Sequence, residues 1–104
     1  MQKIELPESA KYIFDFTEGA DISEKLRNLV RGDLERRLKN CTERIFDYEK
    51  KHVMSFGEFE VAWKEDKVAD RHSHGVESDY MEWESLEDEH RELLHKLKKM
   101  KEEQ

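Results

Sequence analysis

The chain has 104 residues, of which 26 are acidic and 19 basic, giving a net charge of -7. A chain this short makes one domain and buries only about two thirds of its unfolded surface, so its core is modest and a partner surface is a natural complement. Apolar runs stop at two or three residues and Cys41 is the single cysteine, which excludes a membrane span, a signal-peptide core and an internal disulfide; a soluble protein of the reducing cytoplasm is expected.

Charged residues make up 43% and the mean hydropathy is -1.06, a composition near that of disordered chains, yet the apolar residues recur with a helical period, which argues for order. Lys3-Ile4-Glu5-Leu6 alternates polar and apolar residues before Pro7, the pattern of a short strand that needs a mate across a dimer. Pro7 and Glu8 open a first helix near Ser9 that carries Ala10, Ile13, Phe14 and Phe16 and ends at Thr17-Glu18-Gly19. Asp21 or Ser23 then caps the longest helix, in which Ile22, Leu26, Leu29, Val30, Leu34, Leu38, Cys41, Ile45 and Tyr48 advance by threes and fours. Gly32 interrupts it at a cost of about 1 kcal/mol relative to alanine, for a close helix approach or a bend.

Residues 1–53 therefore read as a dimerisation-like strand and long helix. Residues 54–66 read as a short aromatic helix, capped by Ser55 with Glu58 three positions on and presenting Phe56, Phe59 and Trp63. Residues 67–78 lose the period and predict a loop, and residues 79–104 predict a final helix. In that helix Trp83, Leu86, His90, Leu93, Leu97 and Met100 are spaced 3, 4, 3, 4 and 3 apart, a heptad-like seam. The expectation is one all-α domain over 1–104, with three to four helices around one long central helix.

Charge is unevenly placed. Residues 24–51 hold nine basic and six acidic side chains, whereas residues 57–92 hold four basic and thirteen acidic. The stretch Glu77 to Glu92 alone carries eight carboxylates around Tyr80 and Trp83. Such a gradient steers a cationic partner or lets two halves attract each other. Acids early in the last helix and lysines at 96, 98, 99 and 101 also complement the helix dipole, a purely structural explanation for part of the gradient. The Glu and Lys excess, with few Gln, Asn and Cys, resembles the balance of proteins from thermophiles.

Catalytic constellations are missing from the pattern. No nucleophile-base pair, phosphate loop or complete ligand set is spelled out, so no enzyme and no cofactor is expected. His72 and His74, near Asp70, Glu77 and Asp79, offer imidazole and carboxylate to a divalent metal, but a loop pair without a fixed third ligand reads first as a solvated loop. His90 falls on the seam as a core histidine. Arginines and lysines of the long helix are interleaved with Asp33, Glu35 and Glu43, the pattern of a solvated face laced with ion pairs rather than of a phosphate-binding stripe.

Two resemblances bear on function. The order strand, helix, long helix in IELPESAKYIFDFTEGADISEKLRNLVRGDLERRL resembles ribbon-helix-helix proteins, in which paired strands of a dimer enter the DNA major groove. Here Lys3 and Glu5 would face the bases, a poor pair beside a phosphate backbone, so the resemblance supports dimerisation more than DNA reading. A DNA-binding regulator is the alternative reading.

From Phe46 to Leu97 the chain resembles small prokaryotic antitoxin-like proteins of toxin-antitoxin modules, on the segment YEKKHVMSFGEFEVAWKED followed by ESDYMEWESL. Many such sequences look like KYGMSFEEF at the helix break, where this chain has His52-Val53 for Tyr-Gly and Gly57 for glutamate. Val53 disfavours a left-handed cap, which leaves a helix running straight through to Trp63 as a competing expectation. The resemblance implies a non-catalytic partner that binds and silences a basic toxin. Phe56, Phe59, Trp63, Tyr80, Met81, Glu82, Trp83 and Glu84 are the expected contact residues, although the helical spacing also places Trp83 in the core.

Overall fold

The stripe that begins after Asp21 forms a single helix, α1 (Ile22–His52), because Asp21 takes an extended conformation and its carboxylate accepts from the Glu24 N–H at 2.8 Å. That bond satisfies one of the donors a helix start leaves open. The computed structural model describes residues 21–103, in which α1 is followed by α2 (Phe56–Lys64) and α3 (His74–Glu102). The fold is all-α. The expected strand at Lys3–Leu6, with Lys3 and Glu5, and the expected helix near Ser9 lie outside the described residues.

Helix α1 ends at Val53, and here the structure corrects the reading of a helix running on to Trp63. Val53 adopts the left-handed conformation at φ 56°, ψ 41°, and its N–H returns to the Glu49 carbonyl. The Met54 N–H reaches the same carbonyl at 3.3 Å, so the helix end is satisfied despite the side chain. Ser55 then starts α2 through a capping box: its hydroxyl accepts from the Glu58 N–H at 3.2 Å, while the Ser55 N–H donates to the Glu58 carboxylate at 3.3 Å.

A second correction concerns α3, which begins at His74 rather than near Asp79. The Ser73 hydroxyl accepts from the Val76 N–H at 3.3 Å and caps the helix five residues earlier than its polar composition suggests. The connection from α2 is therefore only residues 65–73. Asp66 and Asp70 make its left-handed turns, a conformation that aspartate tolerates, and Arg71 bridges back to Asp66 at 3.1 Å.

Helices α1 and α3 run antiparallel. Arg31 and Glu35 lie beside Leu97 and Lys101, Cys41 meets Leu86 midway, and Lys51 at the end of α1 meets Asp79 near the start of α3. At 1.5 Å per residue α1 is about 46 Å long, which accounts for most of the 55 Å long axis. The core is consequently thin. Cys41, Ile45, Phe59, Trp83, Leu86 and Leu93 form it, with Leu34, Leu38, Tyr48, Phe56, Trp63 and Tyr80 packed around them.

Short helix α2 thickens that core at the closed end of the hairpin. It inserts Phe59 against Trp83, ring centroids 5.1 Å apart. Burying rings of this kind stabilises by about 1.5–3 kcal/mol each. Cys41, buried as its stripe position predicts, donates its thiol hydrogen to the Leu86 carbonyl at 3.1 Å. Burial, and then Glu89 and Glu87, push its pKa up, so it is a packed thiol rather than a reactive one. Among the described residues no helix is long and apolar enough to cross a membrane.

Candidate partner-binding surface

The acidic aromatic motif at the start of α3 is sorted by helical geometry into two faces. Trp83, Leu86 and Leu93 point toward α1, as their spacing predicts. Glu77, Met81, Glu84 and Asp88, at steps of 4, 3 and 4, form the opposite stripe.

Two of the expected contact residues are therefore inside the molecule. Phe59 and Trp83 are fully buried, so in this conformation neither presents a face to a partner; they hold the scaffold instead. Trp83 is boxed by Tyr48, stacked at 5.6 Å, by His52, also stacked at 5.6 Å, and by Phe56, edge-on at 5.4 Å. Among the described residues its indole N–H has no hydrogen-bond acceptor.

Phe56, Trp63 and Tyr80 are half-buried at the margin of this cluster. The Trp63 and Tyr80 rings meet at 4.6 Å, and the Arg71 guanidinium lies over Trp63 at 5.1 Å from the ring centroid. Tyr80 donates its hydroxyl to Glu60 at 3.4 Å. Burial, followed by the charges of Glu60 and Glu84, pushes the phenol up, which keeps it a neutral donor.

The carboxylates of α3 also divide. Glu82 pairs with Arg44 of α1, and this ion pair covers the Glu82 oxygen that lacks any other partner. Asp79 is nearly buried and accepts from Lys51 at 2.6 Å and from the His52 ring at 3.0 Å. Burial alone would push the Asp79 carboxyl up, but Lys51 and His52 together outweigh it and hold it below the usual carboxylate value. The basic helix and the acidic helix thus attract each other within one chain, at the closed end of the hairpin.

On the outer stripe the situation is different. Met81 is 70% exposed. Glu84 is exposed beside it, and neither Glu84 nor Glu77 makes an ion pair among the described residues. A large apolar side chain amid uncompensated carboxylates is what remains once the core has been filled and the structural ion pairs formed.

The histidines do not come together. His72 is exposed in the connection, His74 is the first residue of α3, and among the described residues no three His, Cys, Asp or Glu side chains converge as a metal site. His90, expected on the seam, is half-buried at the edge of a groove whose floor includes Phe46. Sequence reasoning passed over Phe46, which lies next to Ile45 but off the three-four stripe; an aromatic residue off the stripe of an otherwise charged helix face was the available signal.

The fold and surface define an antiparallel helical hairpin braced by a short aromatic helix, with an acidic outer face. Comparison with known proteins found no matching family model and no match among curated proteins or solved structures.

Proposed function

We propose that this chain is a non-catalytic protein-binding module of the antitoxin kind, which docks on a basic partner protein and neutralises it. The observation that carries the reading is the outer face of α3, where Met81 stands exposed between Glu77 and Glu84, two carboxylates without cations of their own among the described residues. A partner that acts on RNA needs cationic groups for phosphate, and such a face covers them with carboxylates while the methionine supplies apolar contact. Charge of this kind speeds encounter and selects the partner more than it deepens affinity.

The proposal places the protein in the cytoplasm as a dimer. Support for self-association is the stripe of Ile22, Leu26 and Val30 at the start of α1, each exposed at successive helical turns.

The test is co-expression with the product of the adjacent gene, followed by affinity capture at low and moderate salt. Wild-type protein should retain the partner, and retention should fall in Met81→Glu and Glu84→Lys. Recovery of nothing at low salt, or equal recovery by both variants, contradicts the reading.

A further inference from the structure

On one flank of the hairpin, between α1 and α3, lies a groove of about 460 Å³ floored by Ile45 and Phe46 and rimmed by Glu43, Glu49, Glu87 and His90. Two observations set it apart. Phe46 is 56% exposed although it follows the buried Ile45 within the longest helix, and none of the three glutamates makes an ion pair among the described residues. One helical turn beyond His90, on the same side of α3, Leu94 is another exposed hydrophobic side chain. The face of the Phe46 ring already attracts a cation: the Lys50 ammonium lies 4.8 Å from its centroid, although Asp47 competes for it at 3.5 Å.

An apolar strip edged by three uncompensated carboxylates is complementary to a helix that is apolar along one side and cationic at its borders. It repels nucleic acid and anionic membranes. We propose that the groove docks a basic amphipathic helix of a partner protein, with an arginine or lysine laid over the Phe46 ring and leucine-like side chains reaching Leu94. This rests on the reading of the chain as a binder of cationic proteins, but it adds a second contact: Glu87, His90 and Leu94 lie on a different side of α3 from Met81.

The test is a titration of the isotope-labelled full chain with a synthetic peptide of leucine and arginine in helical register, followed residue by residue by NMR. Saturable shifts should cluster on residues 42–50 and 87–94. Phe46→Ala and, separately, Glu43→Lys should each weaken binding by about tenfold, as loss of an aromatic anchor or reversal of a facing charge does. Both positions are exposed, so the variants should retain the wild-type helical spectrum, and Glu43→Lys carries the test should Phe46→Ala not fold. Shifts centred instead on Met81 and Glu84 overturn the groove but leave the proposed function standing. Absence of any saturable shift overturns the groove, whereas the proposed function is decided separately by capture of the adjacent gene product. Concentration-dependent self-association that Phe46→Ala abolishes, with the peptide unable to compete, also overturns the proposal by assigning the groove to a second copy.

Discussion

Replacing Val53 with glycine should make this protein more stable, although the substitution removes a whole apolar side chain. Val53 closes α1 in the left-handed conformation, φ 56° and ψ 41°, where its β-carbon crowds the following carbonyl. That conformation costs an L-residue about 1–2 kcal/mol. The side chain itself is 85% exposed, so its removal forfeits almost no buried surface. Against the relief stands the extra freedom of glycine in the unfolded chain, about 0.4–1 kcal/mol. The net gain is about 0.5–1 kcal/mol, and a domain of this size converts each kcal/mol into about 4–8 °C. Thermal unfolding followed by circular dichroism should therefore show Tm rising by about 2–8 °C in Val53→Gly, while Val53→Ala, still strained, gains less. A Tm that stays put or falls refutes the reasoning, because it means that the helix does not break here and continues toward Trp63.

The core, the half-buried Asp79 carboxylate and the α2 cap each carry a further test. Trp83→Ala should cost about 3–5 kcal/mol and abolish the cooperative melt of so thin a hairpin, whereas Trp83→Phe should stay within about 1 kcal/mol of wild type, because losing an unpartnered indole N–H offsets part of the lost packing; denaturant titration separates the two. Asp79 is held below the usual carboxylate value when folded, so its stabilisation is present above the unfolded value, near 3.9, and is lost as pH falls through the folded one. Tm measured from pH 6 down to pH 2 should drop in this acidic range, and the drop should be shallower in Asp79→Asn. Ser55→Ala removes the capping hydroxyl of α2 and should cost about 1 kcal/mol by chemical denaturation.

The seam of α3 was legible because Trp83, Leu86 and Leu93 combine strict spacing with real burial, and the Ser55 capping box because both of its partners are local in sequence. The start of α3 was not. Gly75 and the polar run before it resemble a loop, yet Val76 is one helical turn before Tyr80 and packs on the core, so tertiary contact extends the helix through residues of weak propensity. Val53 shows the opposite conflict. Its side chain resists the left-handed cap, but the packing of Met54 and Phe56 on the core and the box at Ser55 require a turn there, and they prevail. On the candidate surface, the motif ESDYMEWESL identified the right segment, but only three-dimensional packing separates its buried ring from its exposed methionine.

Hydroxyl-radical footprinting, read by mass spectrometry with and without the adjacent gene product, probes the outer face of α3 most directly. In the free protein Met81 should oxidise rapidly and Trp83 slowly, and addition of the partner should protect Met81 while Trp83 stays unchanged. Rapid oxidation of Trp83 in the free protein, or a complex in which Met81 reacts as fast as before, would contradict the account.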